Sequence, residues 1–505
     1  LGVEPGDKVA ICSRNCANWG VTYLAIAAYG AVIVSILQDF TPDDVMHLTN
    51  HSDAKVLFVG PCVWRNFSHE RAVLEEKMPQ VKAIVQINDF STIYQKRGEM
   101  VVGGIEDVKE DFQKTYPNGF GKEDVHYRTD NLDDLLLINY TSGSTGTPKG
   151  VMLTYRSLSG NVASGHRFLP NQPGWKLVSM LPLAHMFGQL AEFLFPLSGG
   201  CHIYFLAKTP TPTILMQAFK DVHPYMIVTV PLVIEKICKR AVFPVINRRF
   251  MRRMWNAPLG IGRIVKRRVK KKLLDAFGGR LRYFIVGGAA VNPDVETLLL
   301  DIHFPFVVGY GMTECGPLIG GCLVKDFVAR SAGHILPGNE IRIDSADPYN
   351  EVGEILVRGE HVMKGYYKNE ESTKAAFTED GWLRTGDLGV IDHRQNIFIR
   401  GRNKSMILSA TGQNIYPEEI EDKLNDMDAV VESVVVEREG KLVALVFPDI
   451  KGELTFRKPI AEIMRENLQK LNDRLPKYSQ IQKIELQEKE FEKTPKKSIK
   501  RFLYR

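Results

Sequence analysis

Apolar runs rich in Val, Ile and Leu alternate with stretches of helical spacing through most of the chain. Lys176 to Leu181 predicts a strand, Phe187 to Leu197 a helix, and Cys201 to Leu206 another strand. Pro210 to Lys220 then predicts a helix and Met226 to Val230 an extended segment, after which Pro231 opens the next helix. Such alternation belongs to layered α/β folds. From Ile335 to Ile399 the runs shorten and turns multiply, as in Ile341-Arg-Ile343, Glu354 to Arg358 and Gln395 to Arg400, which predicts a small β-barrel or sandwich. After Gly401-Arg402 a separate set of elements begins. It has a helix from Tyr416-Pro417, strands at Ala429 to Val436 and Lys441 to Phe447, a helix from Lys458 to Leu471 and a last strand near Ile484.

A chain of 505 residues is too long for one hydrophobic core. The expected fold class is therefore α/β, with a large multi-subdomain N-terminal domain over residues 1–400 and a small α+β C-terminal domain over residues 401–505. The N-terminal domain is expected to combine layered α/β sheets with the small β-barrel. Residue 1 is Leu, and the opening Leu1-Gly-Val-Glu-Pro-Gly reads like the middle of a domain, so part of the natural start is expected to be missing. The longest apolar stretch, Val21 to Leu37, is short for a bilayer span and broken by Gly30 and Ser35.

Seven cysteines with no Cys-x-x-Cys pair give neither a zinc site nor a disulfide framework, and fit a reducing cytoplasm. The net charge of +6 is mild but uneven. Between Lys236 and Lys272 there is no Asp or Glu, while Arg and Lys crowd among Phe250, Trp255, Ile261 and Ile264. That pattern suits a helix on an anionic membrane surface, a nucleic-acid contact, or a solvated basic face over a core seam.

The chemistry is concentrated in Tyr140-Thr-Ser-Gly-Ser-Thr-Gly-Thr-Pro-Lys-Gly150, which lies between the strand-like runs Leu135 to Asn139 and Val151 to Leu153. Gly143 and Gly146 permit a tight turn whose N–H groups can face anionic oxygens; Ser142, Ser144, Thr145 and Thr147 add hydroxyls, and Lys149 adds a positive charge. A Walker A loop needs Gly-Lys followed by Ser or Thr, whereas here Pro148 precedes the Lys and Gly150 follows it, which excludes that class.

This segment resembles the phosphate loop of the adenylate-forming superfamily, and further motifs stand in the family's order: Gly287-Gly-Ala-Ala290, Gly309-Tyr-Gly-Met-Thr-Glu-Cys-Gly-Pro317, Gly381-Trp-Leu-Arg-Thr-Gly-Asp387 and Gly401-Arg-Asn-Lys404. The resemblance implies ATP, Mg²⁺ and coenzyme A as the small molecules used. Thr141, Ser142, Gly143, Ser144, Thr145 and Lys149 would hold the β- and γ-phosphates. Tyr310 would stack on adenine beside Gly311, with Gly288 and Ala289 on the ring's other face. Thr313 would meet the α-phosphate, Glu314 the Mg²⁺, and Asp387 and Arg402 the ribose. Leu181-Pro-Leu-Ala-His185-Met-Phe-Gly188 resembles the border of the acid pocket, which places His185 at the arriving carboxylate and Met186, Phe187 and Gly188 in its wall. A lone His is equally a hydrogen-bonded core residue. Amino-acid-activating members carry an Asp here; none lies between Leu181 and Phe195, which favours an apolar acid.

The family also implies a mobile C-terminal domain that swivels at Lys404, and a thiol tunnel past Gly412. Its usual catalytic lysine falls, by gapless alignment, on Ser498 in Lys493-Thr-Pro-Lys-Lys-Ser-Ile-Lys-Arg501, with Lys497 one residue away and Lys496 and Lys500 near. Lys497 is the expected working lysine. The function implied is a fatty acid–CoA ligase of the long-chain branch, cytoplasmic, with peripheral membrane contact through residues 236–272 and no nucleic-acid partner expected. Two alternatives remain. One is an acyl-adenylate ligase with a carrier-protein acceptor, and the other a nucleotide- and acyl-binding protein without turnover.

Overall fold

The computed structural model describes residues 1–505 except 68–70, 99–104, 125–130, 142–147, 207, 259, 409–413, 439, 451–457, 494–498 and 505. The phosphate-loop residues Ser142, Gly143, Ser144 and Thr145, the tunnel residue Gly412 and the lysine pair Lys496 and Lys497 with Ser498 lie outside the described residues.

Two large sheets form the N-terminal part. The first has eight strands in the order Gly365–Tyr366, Lys149–Thr154, Leu135–Thr141, Val32–Ser35, Lys8–Cys12, Ala54–Val59, Ala83–Gln86 and Thr92–Gln95. Its middle is parallel, and its inner strands are buried along nearly their whole length, as Val32–Ser35 is at every residue. Burial on both faces is why these strands read as continuous apolar runs.

The second sheet has seven strands, ordered His334–Ile335, Leu318–Leu323, Phe306–Gly311, Tyr283–Gly287, Met226–Thr229, Lys176–Ser179 and His202–Phe205. Tyr283–Gly287 and Phe306–Gly311 run parallel with Gly287 opposite Gly309, so the loop after one strand and Tyr310 on the other emerge together. Ligands of parallel α/β sheets collect at such carboxyl ends.

The helix expected from Phe187 begins one residue earlier, at Met186, and runs to Ser198 through a wider π-type turn at Gln189–Leu194. One-turn widenings of this kind recur at functional sites. The region read as a small β-barrel is a four-stranded antiparallel sheet, Asn339–Asp344, Gly353–Gly359, Leu383–Ile391 and Ile397–Arg402, joined to the second large sheet through Ala332, Gly333 and Ile397. Its last strand continues two residues past Arg400, setting Leu388 opposite Gly401 and Asp387 opposite Arg402.

Beyond Lys404 a three-stranded sheet, Val430–Arg438, Lys441–Pro448 and Lys483–Leu486, packs with helices Pro417–Asn425 and Ile460–Asn472 around its own buried core. Asp426 of this unit accepts from Asn292 and, at 3.3 Å, from Lys239 of the large part. Among the described residues no helix is long and apolar enough to cross a membrane.

Candidate active site

The phosphate-loop prediction rests on a hairpin, and its legs are present: Leu135–Thr141 and Lys149–Thr154 pair antiparallel with Thr141 opposite Lys149. Lys149 points at the sheet edge, where its ammonium donates to Ser372 Oγ at 2.8 Å and lies 4.8 Å from the centre of the Tyr366 ring. That ring also serves the next group. The Tyr366 hydroxyl donates to Glu314 Oε1 at 2.9 Å, so one side chain positions both the loop lysine and the carboxylate.

Glu314 stands in the short turn Thr313–Cys315 with Thr313 buried beside it. The turn is fixed from both sides. Met363 N–H donates to the Glu314 carbonyl at 2.8 Å, and a Cβ on Gly311 would lie 1.8 Å from the Pro317 carbonyl oxygen, so only glycine fits there.

The tightest group is Tyr310, Asp387 and Arg402. The Tyr310 hydroxyl donates to Asp387 Oδ2 at 2.9 Å, and Arg402 Nε reaches Oδ1 at 3.1 Å. Strand register explains the second contact, since Asp387 and Arg402 face one another across the ladder. Burial raises the Asp387 carboxyl above its ordinary range, while Arg402 and the Tyr310 hydrogen bond pull it down. Burial likewise raises the Tyr310 phenol. Both oxygens of this aspartate are thus engaged, one of them by an exposed arginine.

Gly288 takes a left-handed φ of 85° with nothing within 4 Å of where a Cβ would be, and Ala289 is exposed. These two residues therefore face open space just past the end of the strand Tyr283–Gly287.

On the acid side, His185 caps the helix start, its Nδ1 accepting from Phe187 N–H at 3.3 Å. Phe187 leans on the floor of the second sheet, its ring close to Gly287, where an added Cβ would come within 3.0 Å. Met186 is buried in the main core, and Gly188 passes so near the Pro182 carbonyl that a Cβ there would lie 2.6 Å from it. Phe187 is thus half-buried, whereas Met186 packs inward and Gly188 permits a close backbone approach.

Two residues that the motifs did not single out hold this segment in place. Glu192, fully buried in the π-type turn, accepts from Ser179 Oγ at 3.1 Å and from the N–H groups of Met180 and Leu181 at 2.9 Å. Asn15 donates to Ser179 Oγ and the Leu181 carbonyl and accepts from Leu183 N–H. Burial raises the Glu192 carboxyl well above its usual range, while its hydrogen bonds to Leu181, Ser179 and Met180 pull it down. Glu192→Gln should therefore shift stability by no more than about 1 kcal/mol, because a neutral amide accepts the same bonds. Glu192→Ala should cost roughly 2–5 kcal/mol, read as a thermal melt, by stranding two buried N–H groups and a hydroxyl. Equal melting points for the two variants would show that these hydrogen bonds do not hold the segment.

Lys404 lies in the turn Asn403–Ser405 and lines a cavity of about 290 Å³ with Val434 to Glu437 and Arg501, against the C-terminal sheet. Arg501 in turn pairs with the buried Glu421. Among the described residues no three His, Cys, Asp or Glu side chains cluster as a metal site. A single carboxylate nevertheless suits Mg²⁺ held mainly by nucleotide phosphates and water. Glu314, its Oε1 held by Tyr366, is the carboxylate that would hold such an ion.

The family model described as AMP-binding enzyme matches residues 1–367, and the one described as AMP-binding enzyme C-terminal domain matches residues 404–504. The chain belongs to the AMP-binding enzyme family. Among curated relatives of this AMP-binding enzyme is the long-chain-fatty-acid–CoA ligase FadD15 of Mycobacterium bovis, 29% identical over 86% of this chain and 72% of that protein. Another is the chloroplastic long-chain-fatty-acid–[acyl-carrier-protein] ligase AEE15 of Arabidopsis thaliana, 27% identical over 89% and 70%. A solved structure of the same fold is the o-succinylbenzoate coenzyme A synthetase MenE of Bacillus subtilis in complex with ATP and magnesium ion. It has a TM-score of 0.71 and 22% identity, covering 99% of this chain and 89% of that one.

Proposed function

We propose that this AMP-binding enzyme activates a fatty acid with ATP, forming an acyl-adenylate and pyrophosphate, and then transfers the acyl group to coenzyme A as a thioester. The observation that carries the reading is the Tyr310–Asp387–Arg402 constellation at the strand ends opposite Gly288, since it offers a ring for adenine and a carboxylate for the ribose hydroxyls. Catalysis requires a carboxylate oxygen to attack the α-phosphorus while pyrophosphate leaves, so two anions must be brought together and their repulsion offset. Lys149 and Arg402 supply positive charge, Thr313 a hydroxyl beside the α-phosphate, and Tyr366 fixes the carboxylate of Glu314. Glu314 would hold Mg²⁺, which when bound would supply positive charge to offset that of the phosphates.

The half-buried Phe187, and the lack of an Asp between Leu181 and Phe195 where amino-acid-activating members carry one, support a hydrocarbon acid. The carrier-protein relative keeps a second acceptor in view. Thioester formation with CoA and with a purified acyl carrier protein, measured across acids of graded length, tests both. CoA-dependent product with apolar acids upholds the proposal. Product only with the carrier protein transfers it to that acceptor, and no pyrophosphate exchange with any acid leaves a binding protein without turnover.

The working lysine is proposed to be Lys497. Lys493 and Ile499 pair across an antiparallel bridge and Lys500 N–H donates to the Glu492 carbonyl at 2.8 Å, so the described residues on either side of 494–498 lie next to each other. Lys497→Ala should slow adenylation by about a hundredfold, the scale of losing one charged stabiliser. It should leave thioester formation from supplied acyl-adenylate unchanged. Adenylation at the parent rate would assign the role to Lys496 or Lys500.

A further inference from the structure

Residues 248–272 are not absorbed by the catalytic reading. They fold as helix Arg249–Trp255 packed against helix Ile261–Ala276. The inner side is fully used. Val265 and Leu273 are buried, Trp255 donates its indole N–H to Asp301 at 3.0 Å, and Lys266 both lies over the Trp255 ring and pairs with Asp301 at 3.2 Å. These contacts clamp the helix pair onto helix Pro293–Asp301.

The outer side is different. Of the basic side chains from Arg248 to Lys272, Lys266 is the one with an ion pair among the described residues. Ile264, Arg267, Arg268 and Lys271 recur at a spacing that puts them on one helix face, and Ile264 is 52% exposed. On the shorter helix Phe250 is 71% exposed, next to Arg249 and Arg252. A shallow, open cleft of about 570 Å³ lies along the shorter helix and the turn after it, lined by Arg249, Arg252, Arg253, Asn256, Ala257 and Pro258.

Unpaired guanidinium groups in a concave site fit phosphodiester oxygens, which arginine binds bidentately. Large apolar side chains held out in water between them fit a partner that is anionic outside and apolar just beneath. A bilayer of acidic phospholipid has that layering; a nucleic acid offers the charge without the apolar layer. We propose that helices Arg249–Trp255 and Ile261–Ala276 form a docking surface for an anionic phospholipid bilayer, with headgroup phosphates in the arginine-lined cleft and Phe250 and Ile264 inserted at the acyl boundary. The proposal does not depend on the catalytic reading, and its test uses no substrate.

Flotation of the full chain with vesicles of phosphatidylcholine alone, or mixed equally with phosphatidylglycerol, reads the binding. Binding is expected only to the acidic vesicles and should fade at about 0.5 M salt, where exposed charges are screened. Each basic side chain near such a surface contributes about fivefold, so Arg249→Gln, Arg252→Gln and Arg253→Gln together should weaken binding on the order of a hundredfold. Phe250→Ser with Ile264→Ser, both exposed and so harmless to the melting point, should weaken it by at least about tenfold. Equal binding to neutral vesicles, or undiminished binding by the triple arginine variant, would overturn the proposal. So would undiminished binding by the double serine variant together with displacement by single-stranded RNA, which would make the cleft a general polyanion site. Loss of acidic-vesicle binding in both variants, with melting points unchanged, would uphold it.

Discussion

Asp387→Ala is expected to lower kcat/KM for ATP by roughly 10²–10⁴-fold. In the free protein the carboxylate accepts from Tyr310 and pairs with Arg402, and in the proposed complex its oxygens would take the ribose hydroxyls. Two charge-assisted hydrogen bonds at about 1.5–3 kcal/mol each give that range. The loss should fall mainly on KM for ATP, with CoA affinity unchanged. Asp387→Asn should retain the packing and the melting temperature yet still lose at least about tenfold, since a neutral amide cannot hold Arg402 as an ion pair. Because burial raises this carboxyl, ATP binding should weaken on acidification at a higher pH than an exposed aspartate would set: its protonated form, favoured by burial, cannot accept at both oxygens. A lower melting temperature with unaltered KM for ATP would make Asp387 a support for Tyr310 alone.

Glu314→Gln should reduce adenylation by about 10²–10³-fold at ordinary Mg²⁺ and recover in part as Mg²⁺ is raised, which marks a lost ion contact and not a lost fold. Tyr366→Phe isolates the positioning effect. It removes the hydroxyl that holds Glu314 Oε1 but keeps the ring beneath Lys149, so a loss of only about five- to tenfold is expected, again eased by Mg²⁺. Mg²⁺ titrations of the two variants check this directly. If neither shifts the Mg²⁺ requirement, the carboxylate is not where the ion binds.

Most of the framework was legible because its signals are local. Buried parallel strands such as Val32–Ser35 show as unbroken apolar runs, and the hairpin legs on either side of the phosphate loop show as two such runs around a glycine-rich turn. Gly311 and Gly288 also showed as glycines in motifs, and the structure supplies their reasons, a carbonyl 1.8 Å from a would-be Cβ in one case and a left-handed φ in the other. What stayed hidden is contact across distance. Nothing near Tyr366 signals that its hydroxyl meets a carboxylate 52 positions earlier while its ring meets Lys149. Glu192 carries no motif signal, because its full burial follows from the backbone of Met180 and Leu181 folding over it. The helix start at Met186 and the π-type turn were missed for the same reason: the extra residue per turn is set by packing and not by propensity. Arg402 fell just outside the expected N-terminal domain, yet the ladder pairing it with Asp387 makes it part of the large unit's sheet.

In the proposed complex a nucleotide sits between Tyr310, Gly288 and Asp387 while an apolar acyl chain runs past His185 toward Phe187. A crystal structure with a non-hydrolysable acyl-sulfamoyl-adenosine bears on it most directly. The adenine should stack on Tyr310, both ribose hydroxyls should lie within hydrogen-bond reach of Asp387, and the acyl chain should lie against Phe187. The same ligand bound elsewhere, or that crevice empty at saturating concentration, would contradict the account.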